Sequence, residues 1–575
     1  MKKIYSIPVF LTMMFLVACS EDFLDLKPIA METEETFYKD FDALDMTATA
    51  AYGILCTRDI FDYYIFMGYA SAADDVEVGG ENTNDWPQFQ AVDRLQHSPM
   101  LSTIFDSWGY CYKGIRMTNE FLSRVDKIRA TDTKVNQALV DQRIAEMKFL
   151  RAFYHFYLAV VYGGVPIADK IVDPSMFSTP RNSLKEVYDF MIKDLKEAIP
   201  YLKEKSQLAP NYGRVSKGAA RALLAKILLY ESSYAKNYPG DERFAGMQER
   251  WTEALQYAEE VINSGEYQLV GINGERFASW RNPNGGVGGY RWIFTLDGDN
   301  SPESIWEIQN VMDGKGWTYT RGSYIVTYFT VRYYYRPSDP THSDRVVGGW
   351  SFNLPTSYMV NAFGNQDSRE TGLHSVPVDP KLDPRFATSI GRPGDTILVN
   401  DQTEGEKWFP MSFSNLPTQT ISRKYECSPQ EYWNGRTNDN EGPMNVRWIR
   451  YADVVLMAAE AAYMAGDKPK ALNYINQIRK RARMSGNTGY PEDLTDISFE
   501  DIVHERRLEL AMEGWRFFDL VRWRLAKKYI SGITLAALGE GYVVDFEEGK
   551  HEFFPIPYNE IQLSKGALVQ YKGWQ

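Results

Sequence analysis

Two blocks with helical periodicity, residues 36–265 and 446–528, flank a middle stretch, 266–445, that has none. This division constrains the fold more than any single motif. In the first block FDALDMTATAAYGIL, QRIAEMKFLRAFYHFYLAVVYGGVPI and SLKEVYDFMIKDLKEAIPYLKE all repeat apolar residues three and four apart, as does WTEALQYAEEVINSGEYQL. Ser183 and Glu186 stand at capping-box spacing, which predicts a helix start there. RVSKGAARALLAKILLYESSYA is Ala-rich where two helices are to approach closely.

The second block opens with YADVVLMAAEAAYMAGDKPKALNYINQIRKRA, a predicted helix ending at Gly466 and a second one started by Asp467 and Pro469. Ala458, Ala461 and Ala462 let this pair pack tightly, with Ala471, Ile475 and Ile478 as the facing stripe; the pattern resembles a tetratricopeptide helix pair. FEDIVHERRLELAMEGWRFFDLVRWRLAKK continues it. Within it, His504, Glu505, Arg506, Arg507, Glu509 and Glu513 read as same-helix and interhelix ion pairs, because acid and base recur three and four apart. The expected fold is mainly α, a tetratricopeptide-like superhelix of helix pairs. Parts 36–265 and 446–575 are expected to pack as one domain, and 266–445 to form a loop-rich subdomain with short strands.

That middle part is rich in Gly, Pro, Asn and Tyr. A structureless insert of this length is improbable in a compact domain, so it is expected to fold on the helices. Aromatic residues make up 14% of the chain, but 14 of the 71 positions from 280 to 350. Loops on a rigid scaffold carry binding residues disproportionately, which makes this the expected ligand-binding part.

Residues 1–18 have the layout of an export signal: Lys2 and Lys3, an apolar run broken by Pro8, then a small residue. The run is shorter than the roughly 20 residues that span a bilayer. Leu16, Val17, Ala18 and Cys19 resemble the lipobox of bacterial lipoproteins, which implies cleavage before Cys19 and acylation of it, with 19–35 as a flexible tether. Several acyl chains together form a lasting anchor. Losing Lys2 and Lys3, and no acid, takes the net charge from −13 to −15. That sign argues against nucleic acid as a partner and against electrostatic docking on anionic lipid. Once Cys19 is set aside, Cys56, Cys111 and Cys427 allow at most one disulfide.

Chemistry-bearing motifs are scarce. No HExxH pair or zinc-type cysteine spacing occurs, and neither a GxSxG elbow nor a phosphate-binding GxxxxGK[ST] is present. GGVGGY at 285–290 lacks the flanking elements of a dinucleotide site and reads as a flexible loop. DGDN at 297–300 offers oxygens of the kind calcium takes, without the rest of an EF-hand, and reads as a turn. No cofactor is expected, and a structural calcium is not indicated. His155, on an aromatic-rich helix, reads as a core histidine. A glycoside hydrolase needs only two carboxylates about 5 to 10 Å apart, and 76 acidic residues leave that alternative open.

Six stretches in order are similar to motifs of the SusD/RagB family, the glycan-binding lipoproteins of Bacteroidetes nutrient uptake. They are AEMKFLRAFYHFYLAVVYGGVPI, GRVSKGAARALLAKILLY, DPRF at 383–386, IRYADVVLMAAEAAYMAG, ERRLELAMEGWRFFDLVRW and EFFPIPYNEIQLSKGALVQYKGW. The resemblance implies a tetratricopeptide-like fold, no catalysis, and delivery of oligosaccharides to a SusC-like TonB-dependent transporter in the outer membrane. It also implies surface exposure, with Glu21 and Asp22 fitting an export address after the lipidated cysteine. The alternatives are a surface glycosidase and a peptide-binding or structural lid of an uptake complex.

Family motifs of this kind do not name the ligand site. Sugars stack on flat aromatics because their C–H faces are weakly apolar and their rims hydroxylated. The candidates are therefore Trp86, with Asn84 and Asp85 beside it in NTNDWPQF; Trp317 and Tyr319, with Arg321 nearby, in KGWTYTRGS; then Trp350, followed by Trp292 and Trp280.

Overall fold

The computed structural model describes residues 37–56, 68–82, 84–101, 106–132, 134–172, 178–280, 282, 285–311, 322–335, 345–347, 349–364, 382–401, 405–413, 416, 418–426, 442–535 and 542–575. The first helix, α1 (Phe41–Gly53), is capped by the Asp40 carboxylate, which accepts from the Ala43 amide. After the short α2 (Pro87–Asp93) come the long helices α3 (Asp106–Thr131) and α4 (Gln137–Tyr162), then α5 (Leu184–Ala198), α6 (Lys217–Asn237) and α7 (Trp251–Ile262). The predicted capping box starts α5: the Ser183 amide and hydroxyl both donate to the Glu186 carboxylate at 2.8 Å.

Each helix in this series packs on the next: α3 on α4, α4 on α5, α5 on α6 and α6 on α7. Helix α4 is buried all round from Phe149 to Tyr162, as its nearly continuous apolar and aromatic sequence requires. His155 within it is buried and hydrogen-bonds the Arg151 carbonyl at 2.8 Å. Burial holds its pKa down to about 4, so it is a neutral core histidine.

The chain then leaves the helices. Short helices α8 (Gly289–Trp292), α9 (Ile325–Phe329), α10 (Ser357–Phe363) and α11 (Phe386–Ser389) alternate with two-stranded antiparallel ladders. Strand β1 (Val76–Gly79), from the first helical block, pairs with β7 (Phe352–Pro355). The tiny strands β2 (Arg276–Phe277) and β3 (Val287–Gly288) pair with each other. Strand β4 (Ser304–Ile308) pairs with β12 (Val446–Arg450), so the chain departs and returns along one ladder. Between them β5 (Tyr333–Tyr335) pairs with β6 (Arg345–Val347), β8 (Ile390–Gly391) with β11 (Ile421–Ser422), and β9 (Thr396–Asp401) with β10 (Gly405–Pro410).

From β12 the chain enters α12 (Tyr451–Met464), which packs on α7 and continues the series with α13 (Lys468–Ser485) and α14 (Phe499–Glu509). Gly466 (φ 90°) makes the turn and the Asp467 side chain caps α13, as the sequence predicts. The short α15 (Arg516–Arg522), α16 (Ala526–Ile530) and α17 (Tyr558–Leu563) follow, with a last small ladder, β13 (Thr534–Leu535) on β14 (Tyr542–Val543).

Two expectations are corrected. GGVGGY is not a flexible loop: Val287 and Gly288 lie in β3, Gly289 and Tyr290 open α8, and all four are buried. Its glycines serve close packing, since a Cβ on Gly288 would lie 2.7 Å from the Ser485 Cα. The charged cluster around α14 forms the expected interhelix pairs, but among the described residues its partners lie across the fold and none of the expected same-helix pairs is found. Arg506 pairs with Asp453 and Asp519, Arg507 with Asp74 and Asp75, and Glu505 with Arg385 and Arg479. Glu509 takes Arg385, Arg450 and Arg481, while Glu513 takes Lys424 and Arg450. Burial forces this arrangement, because a charge removed from water needs partners in every direction left open. DGDN does form a tight turn: Leu296–Gly298 is a 3₁₀ turn and Asp299 binds Arg447 at 2.7 Å.

Candidate functional site

The β1–β7 ladder brings a loop of the first helical block against the loop-rich part. Its register sets Gly79 opposite Phe352. Beyond Gly79 the chain must turn in a crowded space. Gly80 (φ 87°) donates its amide to the Ser351 carbonyl at 2.9 Å, and a Cβ on it would lie 2.7 Å from the Phe352 ring and 2.8 Å from the Asp85 Cβ. The loop then reaches Trp86, the residue preceding α2, held at φ 55° with Pro87 after it. On the other side Ser351 and Asn353 have φ of 55° and 56°. Non-glycine residues in this region concentrate where surrounding structure fixes a functional geometry.

The result is an aromatic platform shared by both parts of the chain. Trp86 lies nearly parallel to Phe89, with ring centroids 5.4 Å apart and planes 11° apart. Trp350 meets Trp86 at 6.2 Å and 44°, and Tyr328 at 5.2 Å and 40°. Phe352 packs edge-on to both indoles, at 5.8 Å from Trp86 and 6.2 Å from Trp350. Phe89, Tyr328 and Phe352 are buried, whereas Trp86 and Trp350 are half-buried, so the indoles are the members that reach solvent.

Arg332 clamps the platform's edge. Its guanidinium donates to Asp85 at 2.8 Å, to Glu81 at 3.1 Å and to the Trp350 carbonyl at 3.2 Å, and its amide donates to the Ser351 hydroxyl at 2.6 Å. Asp85 also accepts from the Glu81 amide at 2.6 Å. Beneath β1, the Val78 amide donates to buried Asp93 at 2.9 Å; burial, and then the charge of Glu77, hold that carboxyl well above the usual range. The outer surface thus presents the uncovered parts of two half-buried indoles beside the engaged Arg332 guanidinium and the exposed Asn84.

Of the candidates read from the sequence, Trp86, Asp85 and Trp350 come together here, with Asn84 in the same turn. Trp292 does not: it stacks on Phe277 at 4.6 Å and packs on a separate cluster of Val270, Tyr290, Ile293 and Phe294. Trp280 stacks on Trp408 of β10 at 6.2 Å. Cys19, Trp317, Tyr319 and Arg321 lie outside the described residues. Sequence reading missed Tyr328 and Arg332; the signal available was a cation set among aromatics in YFTVRYYY. Among the described residues no cluster of His, Cys, Asp and Glu is placed to hold a metal ion, and Cys56 and Cys111 form no disulfide.

Comparison with known proteins matches two family models. Residues 302–574 match the SusD family, and residues 22–229 match a SusD-like family described as starch-binding and associating with the outer membrane. A SusD-like protein of Bacteroides ovatus is 25% identical over 526 residues, covering 89% of this chain and 81% of the relative. Among solved structures, a laminarin binding SusD-like protein superposes with a TM-score of 0.68 at 24% identity, over 93% of this chain and 100% of that one. Surface glycan-binding protein A from Bacteroides thetaiotaomicron, in complex with laminarihexaose, gives 0.67 at 23% identity over 92% and 99%. The succession of helix pairs, the ladder that joins them to the loop-rich part and these matches lead to one conclusion: the chain belongs to the SusD family.

Proposed function

We propose that this protein is an outer-membrane glycan receptor that binds oligosaccharide on the Trp86–Trp350 platform without cleaving it and passes it to a SusC-like TonB-dependent transporter. The observation that carries the reading is the convergence of two half-exposed indoles, from distant parts of the chain, over a clamped arginine. Indole faces match the C–H faces of sugar rings, and the guanidinium and Asn84 serve the hydroxyl rim. The glycan-binding names of the relatives support the same ligand class. Glu81 and Asp85, the carboxylates of the loop that carries Trp86, are both engaged by Arg332, which favours a binding role over paired acid–base catalysis. Cys19 carries the lipid that holds the receptor to the outer face of the membrane.

The test is isothermal titration of the soluble chain lacking residues 1–19 with a panel of neutral oligosaccharides, alongside chromatography for released products. Binding to at least one glycan without products is expected, with Trp86→Ala and Trp350→Ala each weakening affinity at least tenfold, about 1.4 kcal/mol. Unchanged affinity in both variants would overturn the site; product release abolished by one carboxylate substitution would overturn the non-catalytic role.

A further inference from the structure

A second concavity, sharing no residue with the platform, lies where the end of α1 meets the 210–214 loop and β4. Its volume is about 380 Å³, within the usual small-molecule range of about 300–1,000 Å³. The walls are built, not incidental. The buried Trp306 indole donates to the Gly213 carbonyl at 3.1 Å, tying the loop to β4. Tyr52 donates its hydroxyl to buried Glu146 at 3.2 Å and accepts from the Val215 amide at 3.1 Å, fixing the α1 side. Asn300, at φ 56°, exchanges two hydrogen bonds with Gln309, both 3.0 Å, and its amide retains one N–H and one lone pair. Tyr212 stands at the rim with 41% of its surface exposed.

The charges on these walls are already balanced. Arg214 is bound by Glu146 at 2.7 Å, and buried Glu307 faces Arg447 at 3.5 Å and accepts from Asn300 and Asn445. Among the lining residues each charged side chain thus has a partner of opposite sign, Glu307 sharing Arg447 with Asp299, which disfavours a phosphate, a uronate or a cation as the occupant. What remains is an exposed phenol ring, a tyrosine-walled recess and amide groups, a lining suited to a neutral, hydroxyl-rich ring. We infer that the Tyr52–Tyr212–Asn300 cleft is a second carbohydrate subsite, selective for a neutral sugar unit and separate from the Trp86–Trp350 platform.

This rests on the reading of the protein as a glycan receptor, but a distinct probe tests it. The half-buried Cys56 thiol lines the same cleft and donates to the Gln309 carbonyl at 3.5 Å, so an occupant shields it. Alkylation of Cys56 by iodoacetamide is followed by mass spectrometry of its peptide, on the chain lacking residues 1–19, with laminarihexaose, maltohexaose or an oligogalacturonate present. One of the two neutral hexasaccharides is expected to slow alkylation severalfold and the uronate to leave it unchanged. Protection is expected to persist in a Trp86→Ala, Trp350→Ala double variant and to fall in Tyr212→Ala, whose exposed ring spares the fold. A Cys56 rate unaffected by both hexasaccharides overturns the subsite, as does equal protection by the uronate. The platform reading is decided separately, by titration of the tryptophan variants.

Discussion

Arg332 reaches Asp85 at 2.8 Å across the seam between the loop-rich part and the first helical block, and the same guanidinium holds the Trp350 carbonyl at 3.2 Å. One side chain therefore bridges the two indole-bearing loops that the β1–β7 ladder brings together. Arg332→Ala is expected to lower glycan affinity about tenfold, equivalent to about 1.4 kcal/mol, by releasing Trp350 from Trp86. Global stability should change by no more than about 1 kcal/mol, because the pairs are partly solvated. Arg332→Lys is expected to recover only part of the loss, since an ammonium cannot fork to two carboxylates and a carbonyl with the same geometry. Calorimetric titration beside thermal melts separates the two effects; an unchanged affinity in Arg332→Ala would refute the clamp.

Arg385 of the DPRF stretch is fully buried among Asp383 at 2.6 Å, Glu505 at 2.7 Å and Glu509 at 3.1 Å. These carboxylates keep the guanidinium charged against a large burial cost. Removing one partner from such a cluster leaves uncompensated charge in the interior, at about 3–5 kcal/mol. Arg385→Met is expected to destabilise by that amount in urea unfolding. Arg385→Glu should prevent folding, placing a fourth acid among three.

Gly114 in α3 faces Tyr154 of α4, and a Cβ there would run into the tyrosine ring. Tyr154 cannot retreat, because its hydroxyl donates to the Ala51 carbonyl at 2.8 Å in fully buried surroundings. Helix propensity alone favours Ala over Gly by about 1 kcal/mol. Overpacking costs about 1–3 kcal/mol, so the clash should win and Gly114→Ala should lower the urea midpoint. A raised midpoint would show that the two helices can separate without cost.

The helical scaffold was readable because its signals are local. The Ser183–Glu186 box, the Gly466–Asp467–Pro469 turn and the alanines of α12 each act within a few residues, and each appears where the pattern predicts. The ion pairs were recognised as pairs but given the wrong partners in part: spacing along a helix cannot reveal that Glu509 lies among Arg385, Arg450 and Arg481, brought by three other segments. The platform shows the same limit. Trp86 and Trp350 stood out by residue type, but only the pairing of β1 with β7 makes them neighbours. Arg332 was missed for the same reason: its setting among aromatics is visible in YFTVRYYY, but its carboxylate partners Glu81 and Asp85 lie across that ladder.

His97 and His551 join the loop after α2 to the C-terminal segment. Their rings lie 6.1 Å apart, and His97 also packs on Phe554 at 4.7 Å and Trp574 at 5.0 Å. Neither His97 nitrogen has a hydrogen-bond partner among the described residues. Burial, then the neighbouring charge of His551, holds the His97 pKa down to about 3. A histidine with a folded pKa below its unfolded value, near 6.5, stays neutral in the fold while the unfolded chain takes up a proton. Its contribution to stability is therefore full above about 6.5 and declines as the pH falls toward the folded value. Burial-raised carboxyls such as Asp299, pushed up to about 7, titrate in the opposite sense across this window, so the difference between two proteins isolates the imidazole. His97→Phe keeps the aromatic packing and removes the titration. Relative to the parent chain, it is expected to be about 2–3 kcal/mol more favourable at pH 4.5 than at pH 7, from about 1.4 kcal/mol per pH unit. Urea midpoints of both proteins at the two pH values measure that difference directly, and equal differences at both would mean that His97 is protonated within the fold.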